Sequence, residues 1–243
     1  MIPHRWDVTI AEATAIQKEL RSQIRLEPLP KPPRTIAGAD ISYNRFSDDF
    51  FACVVVLSLP DLSEVERVFA RGVATFPYVP GYLSFREIPT LLKAFEKLKA
   101  MPDVIMADGQ GIAHPRRLGI ATHLGLVLDI PIFGCGKSLL YGVGEQPAQK
   151  KGSVSYLHDR SDPEDILGAY VRTKDGVKPV IVSPGHRITL EESIRLALDT
   201  TRGYRIPEPT RRAHDLVNAF RRGLPAPASV SHAGGQAGEI ETE

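Results

Sequence analysis

Apolar residues recur along the chain with two spacings, one typical of helices and one typical of buried strands. A spacing of three and four residues predicts helices at 9–25, 84–99, 118–128, 189–199 and 208–222. Short apolar or alternating runs predict strands at 35–42, 51–59, 64–72, 104–107, 131–134, 153–157, 167–172 and 180–183. Thr9 and Glu12 have the spacing of a capping box, which fixes the start of the first helix.

The order of these elements predicts an α/β fold with a mixed central sheet flanked by helices. Short polar turns join the first three strands, so we expect an antiparallel meander. The strand at 104–107, the helix at 118–128 and the strand at 131–134 alternate, which indicates parallel pairing in that part of the sheet. We expect a single domain over residues 1–223 and a disordered tail over 224–243, because the tail is rich in Pro, Ala and Gly.

Composition excludes several classes of protein. The 243 residues include 30 Lys and Arg against 29 Asp and Glu, and 42% are hydrophobic, which is ordinary for a globular chain. No apolar stretch reaches the roughly 20 residues that span a bilayer, and the N-terminus lacks a secretory core, so we predict a cytoplasmic protein without a membrane partner. Cys53 and Cys135 lack the spacing of a zinc site or a disulfide framework.

Two aspartates end or interrupt apolar strands. Asp40 lies within A-G-A-D-I-S-Y, where a carboxylate is costly unless it is paired or bound to metal, although capping a turn is an equally good explanation. Asp108 follows a four-residue apolar strand and precedes Gly109 and Gly111. Chemistry gathers at the carboxyl ends of parallel strands, where glycines let a ligand approach the backbone. We therefore interpret Asp108 as functional.

Three further residues add chemistry, although each also has a commoner structural explanation. Glu87 lies near the start of a helix, Lys137 follows a strand, and His214 lies on the last helix. A helix-start Glu can simply complement the helix dipole, and a lone Lys or His is usually solvated or hydrogen-bonded. Together with two aspartates, these residues fit a two-metal phosphodiesterase, and their oxygen ligands select Mg²⁺ or Mn²⁺.

Two segments suit a nucleic-acid substrate. In P-Y-V-P-G, two prolines hold Tyr78 in a stiff loop, so its ring either acts as a wedge against stacked bases or folds back on the core. We predict phosphate contacts from His114, Arg116 and Ser138, because basic residues follow Asp108 closely and Ser138 follows Lys137.

Four motifs in this order resemble the endonuclease V family over roughly residues 7–222. They are A-G-A-D-I-S-Y, P-Y-V-P-G-Y-L-S-F-R-E-I-P, D-G-Q-G-I-A-H-P-R-R-L-G-I-A-T-H-L-G and R-R-A-H-D-L-V-N. The resemblance implies a ribonuclease H-like fold and a Mg²⁺-dependent DNA repair endonuclease, with Mn²⁺ as a substitute. It implies recognition of deoxyinosine and cleavage of the second phosphodiester bond 3′ to the lesion, leaving a 3′-hydroxyl and a 5′-phosphate.

The resemblance also assigns roles to individual residues. It makes Asp40, Asp108 and Glu87 the metal-binding carboxylates, with His214 beside them and Lys137 at the scissile phosphate. The wedge consists of Pro77, Tyr78, Val79 and Pro80. The base pocket consists of Gly81, Leu83, Gly109 and Gly111. Gln110 departs from the family, because many bacterial relatives have His there.

Three alternatives compete with a DNA endonuclease. An ATP-using sugar or acetate kinase also begins with an Asp strand and a meander, but D-G-Q-G-I-A is a poor phosphate loop. A module that binds inosine without cutting would have lost an acidic position, and all three are present. The third is an endonuclease that acts mainly on inosine in RNA, which the sequence does not distinguish. The expected partner is therefore inosine-containing DNA or RNA, bound by a monomer.

Overall fold

The computed structural model describes residues 4–225. Eight strands form one sheet: β1 (Thr35–Tyr43), β2 (Asp49–Ser58), β3 (Glu64–Val73), β4 (Val104–Ala107), β5 (Ile132–Gly136), β6 (Val154–His158), β7 (Ile166–Val171) and β8 (Val180–His186). Five helices accompany it: α1 (Ile10–Arg21), α2 (Leu83–Phe95), α3 (Ile120–Leu128), α4 (Leu190–Asp199) and α5 (Glu208–Arg221). The tail that we predicted to be disordered lies, from residue 226 onward, outside the described residues.

The sheet is mixed, as the sequence predicted. Its strand order is β3-β2-β1-β4-β5-β8-β7-β6. The meander β1-β2-β3 is antiparallel, whereas β1 pairs with β4 and β4 with β5 in parallel. The strands β8, β7 and β6 continue the sheet with antiparallel pairs, so the parallel part is limited to β1, β4 and β5. This is the predicted ribonuclease H-like arrangement.

Helices cover both faces of the sheet, and the strands β1, β2 and β4 contribute alternate residues to two cores. On one face, Cys53 and Val55 of β2 belong to the core that contains Leu216 of α5 and Leu196 of α4. On the other face, the neighbouring β2 residues belong to a core completed by α2 and α3. Both faces of β2 are therefore buried, which explains its unbroken apolar run.

The predicted helix ends differ from the observed ones at two places. The capping box of Thr9 and Glu12 is present, but α1 ends at Arg21 rather than at residue 25. The helix α2 ends at Phe95 rather than at residue 99. In both cases the following amides bond to carbonyls three residues back, such as Lys97 N to Ala94 O at 3.0 Å, so the chain tightens into turns.

Candidate active site

The two predicted aspartates lie side by side because their strands are parallel neighbours. Ala39 of β1 pairs with Ala107 of β4, and each strand continues into an aspartate. The Asp108 amide donates a hydrogen bond to Ala39 O at 3.2 Å, which keeps the strand ends together. The Asp40 and Asp108 side chains are only 10% and 14% exposed. Two carboxylates therefore share a mostly buried site at the carboxyl edge of the parallel strands.

The helix α5 brings His214 to this edge. A glycine makes this close approach possible, since a Cβ on Gly38 would lie 1.8 Å from the Pro209 carbonyl oxygen. His214 Nδ1 lies 2.8 Å from Asp40 Oδ2. One potential ligand atom from each of Asp40, Asp108 and His214 lies within 4.8 Å of the others, so these three side chains could hold one metal ion.

Lys137 reaches the same carboxylates from the next strand. The strand β5 is parallel to β4 and ends at Gly136, directly before Lys137. Lys137 Nζ donates a hydrogen bond to Asp108 Oδ2 at 2.5 Å, and its side chain is 41% exposed. The ammonium group is thus fixed on the site while remaining open to a ligand.

Glu87 lies beside the three-residue group but is not one of its members. Burial first, and then the charges of Asp40 and Asp108, raise the pKa of Glu87 to about 8. Burial and Asp40 also raise the pKa of Asp108, although Lys137 opposes this effect. The hydrogen bond to Asp40 raises the pKa of His214. The family resemblance assigns Glu87 to the metal and His214 to its side. Here Asp40, Asp108 and His214 are the group that could hold an ion, and the ligand role of Glu87 stays a prediction.

This donor set fits a divalent cation. The charge of Asp40 raises the pKa of both Asp108 and Glu87, so a bound cation would relieve repulsion between these carboxylates. The group offers carboxylate oxygens and one imidazole nitrogen, which are common ligands of divalent cations in proteins.

A cavity of about 110 Å³ lies between the end of the 77–81 loop, the loop after Asp108 and the start of α3. Its walls include three of the four predicted pocket residues, Gly81, Leu83 and Gly109. Gly81 has φ +84°, and a Cβ there would come within 2.5 Å of Arg116 Nη2. The remaining wall residues were not predicted, and they are Ser84, Gln110, His114, Leu118, Gly119, Ile120 and Leu140.

Gly111 and Gln110, which follow Asp108, make contacts that stabilise the surrounding loops. Gly111 does not line the cavity, and a Cβ there would lie 2.1 Å from the Pro184 carbonyl oxygen, so it permits contact with β8. Gln110 lines the cavity and donates a hydrogen bond to Ser138 O at 2.9 Å, while its Oε1 is buried without a hydrogen-bond partner. Gln110 thus links the loop after Asp108 to the loop after Lys137.

The loop that carries Tyr78 is anchored on both sides of the ring. Val79 packs against the cluster formed by Ala13, Phe76, Tyr82 and Phe85. The Gly81 carbonyl accepts hydrogen bonds from Gln17 Nε2 at 3.0 Å and Arg116 Nη2 at 2.7 Å. The Tyr78 ring itself is 69% exposed, so it protrudes and does not fold back on the core.

Two of the three predicted phosphate contacts take other roles. His114 is buried in the cavity wall, and burial, followed by the charge of Arg116, lowers its pKa to about 4. A neutral, buried imidazole offers no charge to a phosphate. Arg116 donates to Gln17 and Gly81 and lies 4.2 Å from the Tyr82 ring centre, so it holds the wedge loop. The exposed Ser138 remains the candidate contact.

The other basic residues near the site are also occupied within the protein. Arg117 donates to Asp159 Oδ2 at 2.6 Å and to Asp165 Oδ2 at 2.5 Å. Arg211 and Arg212 both pair with Glu208. The partners of Arg117 are distant in the chain, whereas Glu208 lies one helical turn before Arg211 and Arg212.

Two functional residues had a sequence signal that we did not use. Gln17 is buried on α1, where a polar residue interrupts the apolar face, and it supports the Gly81 carbonyl. Asn218 lies one turn after His214 and donates to the His214 carbonyl at 2.9 Å. Its place in R-R-A-H-D-L-V-N put it on the same helix face as the histidine.

Comparisons with known proteins agree with this geometry. The family model for endonuclease V matches residues 18–215. The chain belongs to the endonuclease V family. It is 49% identical to endonuclease V of Trichormus variabilis over 217 residues, which cover 89% of this chain and 97% of the relative. It is 46% identical to endonuclease V of Myxococcus xanthus over 239 residues, covering 98% of this chain and 96% of the relative.

Solved structures of the endonuclease V family share the fold. The crystal structure of endonuclease V from Streptomyces avermitilis matches with a TM-score of 0.85 and 42% identity, covering 91% of this chain and 97% of that one. A structure of Ciona intestinalis endonuclease V with DNA that contains an inosine matches with a TM-score of 0.77 and 28% identity, covering 89% of this chain and 99% of that one.

Between residues 4 and 225, no helix is both long enough and apolar enough to cross a membrane.

Proposed function

We propose that this protein is a Mg²⁺-dependent endonuclease that acts on deaminated bases, chiefly deoxyinosine in DNA. It hydrolyses the second phosphodiester bond 3′ to the lesion and leaves a 3′-hydroxyl and a 5′-phosphate. The observation that carries the proposal is the convergence of Asp40, Asp108 and His214 within 4.8 Å, beside a glycine-walled cavity. Support also comes from the Ciona relative, which binds DNA containing an inosine.

The proposed metal site consists of Asp40, Asp108 and His214, with Glu87 as an adjacent carboxyl. Mg²⁺ or Mn²⁺ bound there would supply the concentrated positive charge that hydrolysis of a phosphodiester requires. Lys137 is exposed enough to donate a hydrogen bond to a phosphate oxygen while it remains beside Asp108. His214 Nδ1 lies 2.8 Å from Asp40 Oδ2 and its Nε2 lies 3.3 Å from the Asn218 amide nitrogen, so the ring is oriented from both sides.

The proposed base pocket is the 110 Å³ cavity. An enzyme that inspects a base must take it out of the stack, and a mispaired inosine costs less to unstack than a normal pair. Backbone groups beside Gly81 and Gly109 can read the base edge, because no side chain at these positions separates them from it. Tyr78 would fill the gap that the extruded base leaves, since its ring protrudes from a rigid loop.

A nicking assay tests this function. The substrate is an end-labelled duplex with one inosine, and the control duplex has adenine at that position. We expect nicking of the inosine strand with Mg²⁺ or Mn²⁺ and none with EDTA, and a product whose length places the cut at the second bond. Asp108→Asn serves as the inactive variant. Equal nicking of the adenine duplex, or nicking in EDTA, would contradict the proposal.

One observation supports RNA as a second candidate substrate. The DNA bound by the Ciona relative has a ribo-adenosine directly after the inosine, so that enzyme accepts one 2′-hydroxyl there. Matched single-stranded RNA and DNA oligonucleotides with one inosine distinguish the two candidates. Faster cleavage of the RNA by at least tenfold would make it the main substrate.

A further inference from the structure

A second cleft lies beside the wedge loop and outside the site described above. Its volume is about 500 Å³, within the roughly 300–1,000 Å³ of small-molecule sites. The turn between β1 and β2 contributes Tyr43, Phe46, Ser47 and Asp48, and the opposite wall consists of Tyr78 and Arg86. Three aromatic side chains therefore surround one open cleft.

Phe46 is the most unusual of these residues. Its side chain is 94% exposed, although burial of a Phe is normally favourable, and its φ is +65°, which is rare for a bulky residue. The Arg45 guanidinium lies 4.7 Å from the Phe46 ring centre. By contrast, the Tyr43 ring stacks on Phe50 at 4.7 Å, with an angle of 10° between the rings. The Tyr43 ring is therefore packed on the protein, whereas the Phe46 ring is exposed to solvent beside Arg45.

The wedge loop separates this cleft from the base pocket. Of the residues that line the two cavities, none is shared, and the chain passes from Tyr78 in one to Gly81 in the other within three residues. The cleft also shares β1 and α2 with the metal site. Tyr43 lies three residues beyond Asp40 on β1, and Arg86 precedes Glu87 on α2.

We propose that this cleft receives the base opposite the lesion and that Phe46 stacks on that base. The inference rests on the proposed function, because a wedge that parts two strands leaves one unpaired base on each side. The base pocket takes the lesion, and the aromatic cleft takes its partner. Aromatic rings accept any base by stacking, and the adjacent Arg45 provides a cation for the backbone phosphate of that strand.

The decisive test is the affinity of Phe46→Ala for an inosine-containing duplex, measured with Ca²⁺ in place of Mg²⁺. We expect about 5- to 150-fold weaker binding, the usual effect of one base–aromatic stack. Binding to the same inosine strand without its complement should not change. Phe46→Trp should restore the duplex affinity. The matched control is Tyr156→Ala, since Tyr156 is an exposed aromatic on β6, at the far edge of the sheet.

A duplex with an abasic site opposite the inosine identifies the base concerned. On this duplex, wild type and Phe46→Ala should bind equally well, because there is no base to stack. The inference is overturned if the variant binds the normal duplex like wild type, or if it loses equal affinity for the single strand or the abasic duplex. It is also overturned if the variant loses self-association, measured by light scattering, and keeps its duplex affinity.

Failure of the inference and failure of the proposed function give different results. If wild type itself shows no preference for the inosine duplex over the adenine duplex, the proposed function fails. If wild type shows that preference and Phe46→Ala retains it undiminished, only the role of Phe46 fails. Thermal unfolding of Phe46→Ala should match wild type, because the ring makes little contact with the core.

Discussion

Replacing Glu87 with Gln should stabilise the metal-free protein at neutral and alkaline pH. Burial and the charges of Asp40 and Asp108 raise the pKa of Glu87 to about 8 in the folded state. The unfolded chain releases this proton near the ordinary pKa of about 4.5. Between these two values the folded state binds one more proton than the unfolded state, so raising the pH removes stability. Gln cannot ionise and removes this loss.

The size of the effect follows from the two pKa values. Each pH unit over which the folded state holds the extra proton changes the free energy of unfolding by about 1.4 kcal/mol. From pH 6 to pH 8, ionisation of Glu87 lowers the free energy of unfolding of wild type by about 2 kcal/mol. This value allows for partial ionisation in the folded state as the pH approaches 8. For a chain of this length, that corresponds to a change in melting temperature of roughly 4–8 °C.

The assay is thermal unfolding in EDTA at several pH values from 6 to 8. The difference in melting temperature between Glu87→Gln and wild type should grow over this range in favour of the variant. Taking this difference removes the contributions of Asp108 and His214, whose raised pKa values act in the same direction in both proteins. Glu96→Gln is the control, because Glu96 is exposed at the end of the same helix. Parallel profiles for wild type and Glu87→Gln would refute the reasoning.

Three further predictions test other parts of the structure. Asp40→Asn and Asp108→Asn should abolish nicking and the rise of melting temperature with Mg²⁺, while circular dichroism shows an unchanged fold; a retained Mg²⁺ response would exclude them as ligands. Tyr78→Ala should weaken binding to inosine duplexes about 5- to 150-fold without lowering the melting temperature, since the ring is 69% exposed; a lower melting temperature with unchanged affinity would make Tyr78 a structural residue. Burial lowers the pKa of His123 well below 6.5, so its neutral form stabilises the fold above pH 6.5 and this stability is lost as the pH falls. The melting temperature of His123→Asn should therefore fall less steeply below pH 6.5 than that of wild type. Equal slopes would contradict the assignment.

Local patterns were sufficient to predict most of the sheet. The strand β4 was predicted with its observed bounds, because four buried apolar residues lie between polar turns. The antiparallel meander followed from its short connections. Pairing beyond β5 was not predicted, because the antiparallel contacts of β8 with β5 and β7 depend on packing between segments far apart in the chain.

Some residues of the candidate site could also be placed from the sequence, whereas others could not. Asp108 and Lys137 could be placed together because each directly follows a strand, and parallel strands end at one edge of a sheet. Asp40 joins them from within the neighbouring strand β1. The roles of Arg116 and Arg117 could not be predicted, since their partners Gln17 and Asp159 lie far away in sequence. The positive charge of these two arginines is visible in the sequence, but the distant groups that bind them are visible only in the fold.

The register between β1 and α5 explains why the site has its particular geometry. Alternate residues of β1 face α5: Gly38 admits the backbone at Pro209, Asp40 contacts His214, and Ser42 donates to Asn218 Oδ1 at 2.9 Å. The residues between them, including Ala39, belong to the core on the opposite face. Because side chains alternate along a strand, a shift of one residue would turn all three contacts away from the helix together. The contacts of Gly38 and Ser42, two residues before and two residues after Asp40, therefore fix where along β1 His214 meets the carboxylate. The metal site thus depends on residues that bind no metal.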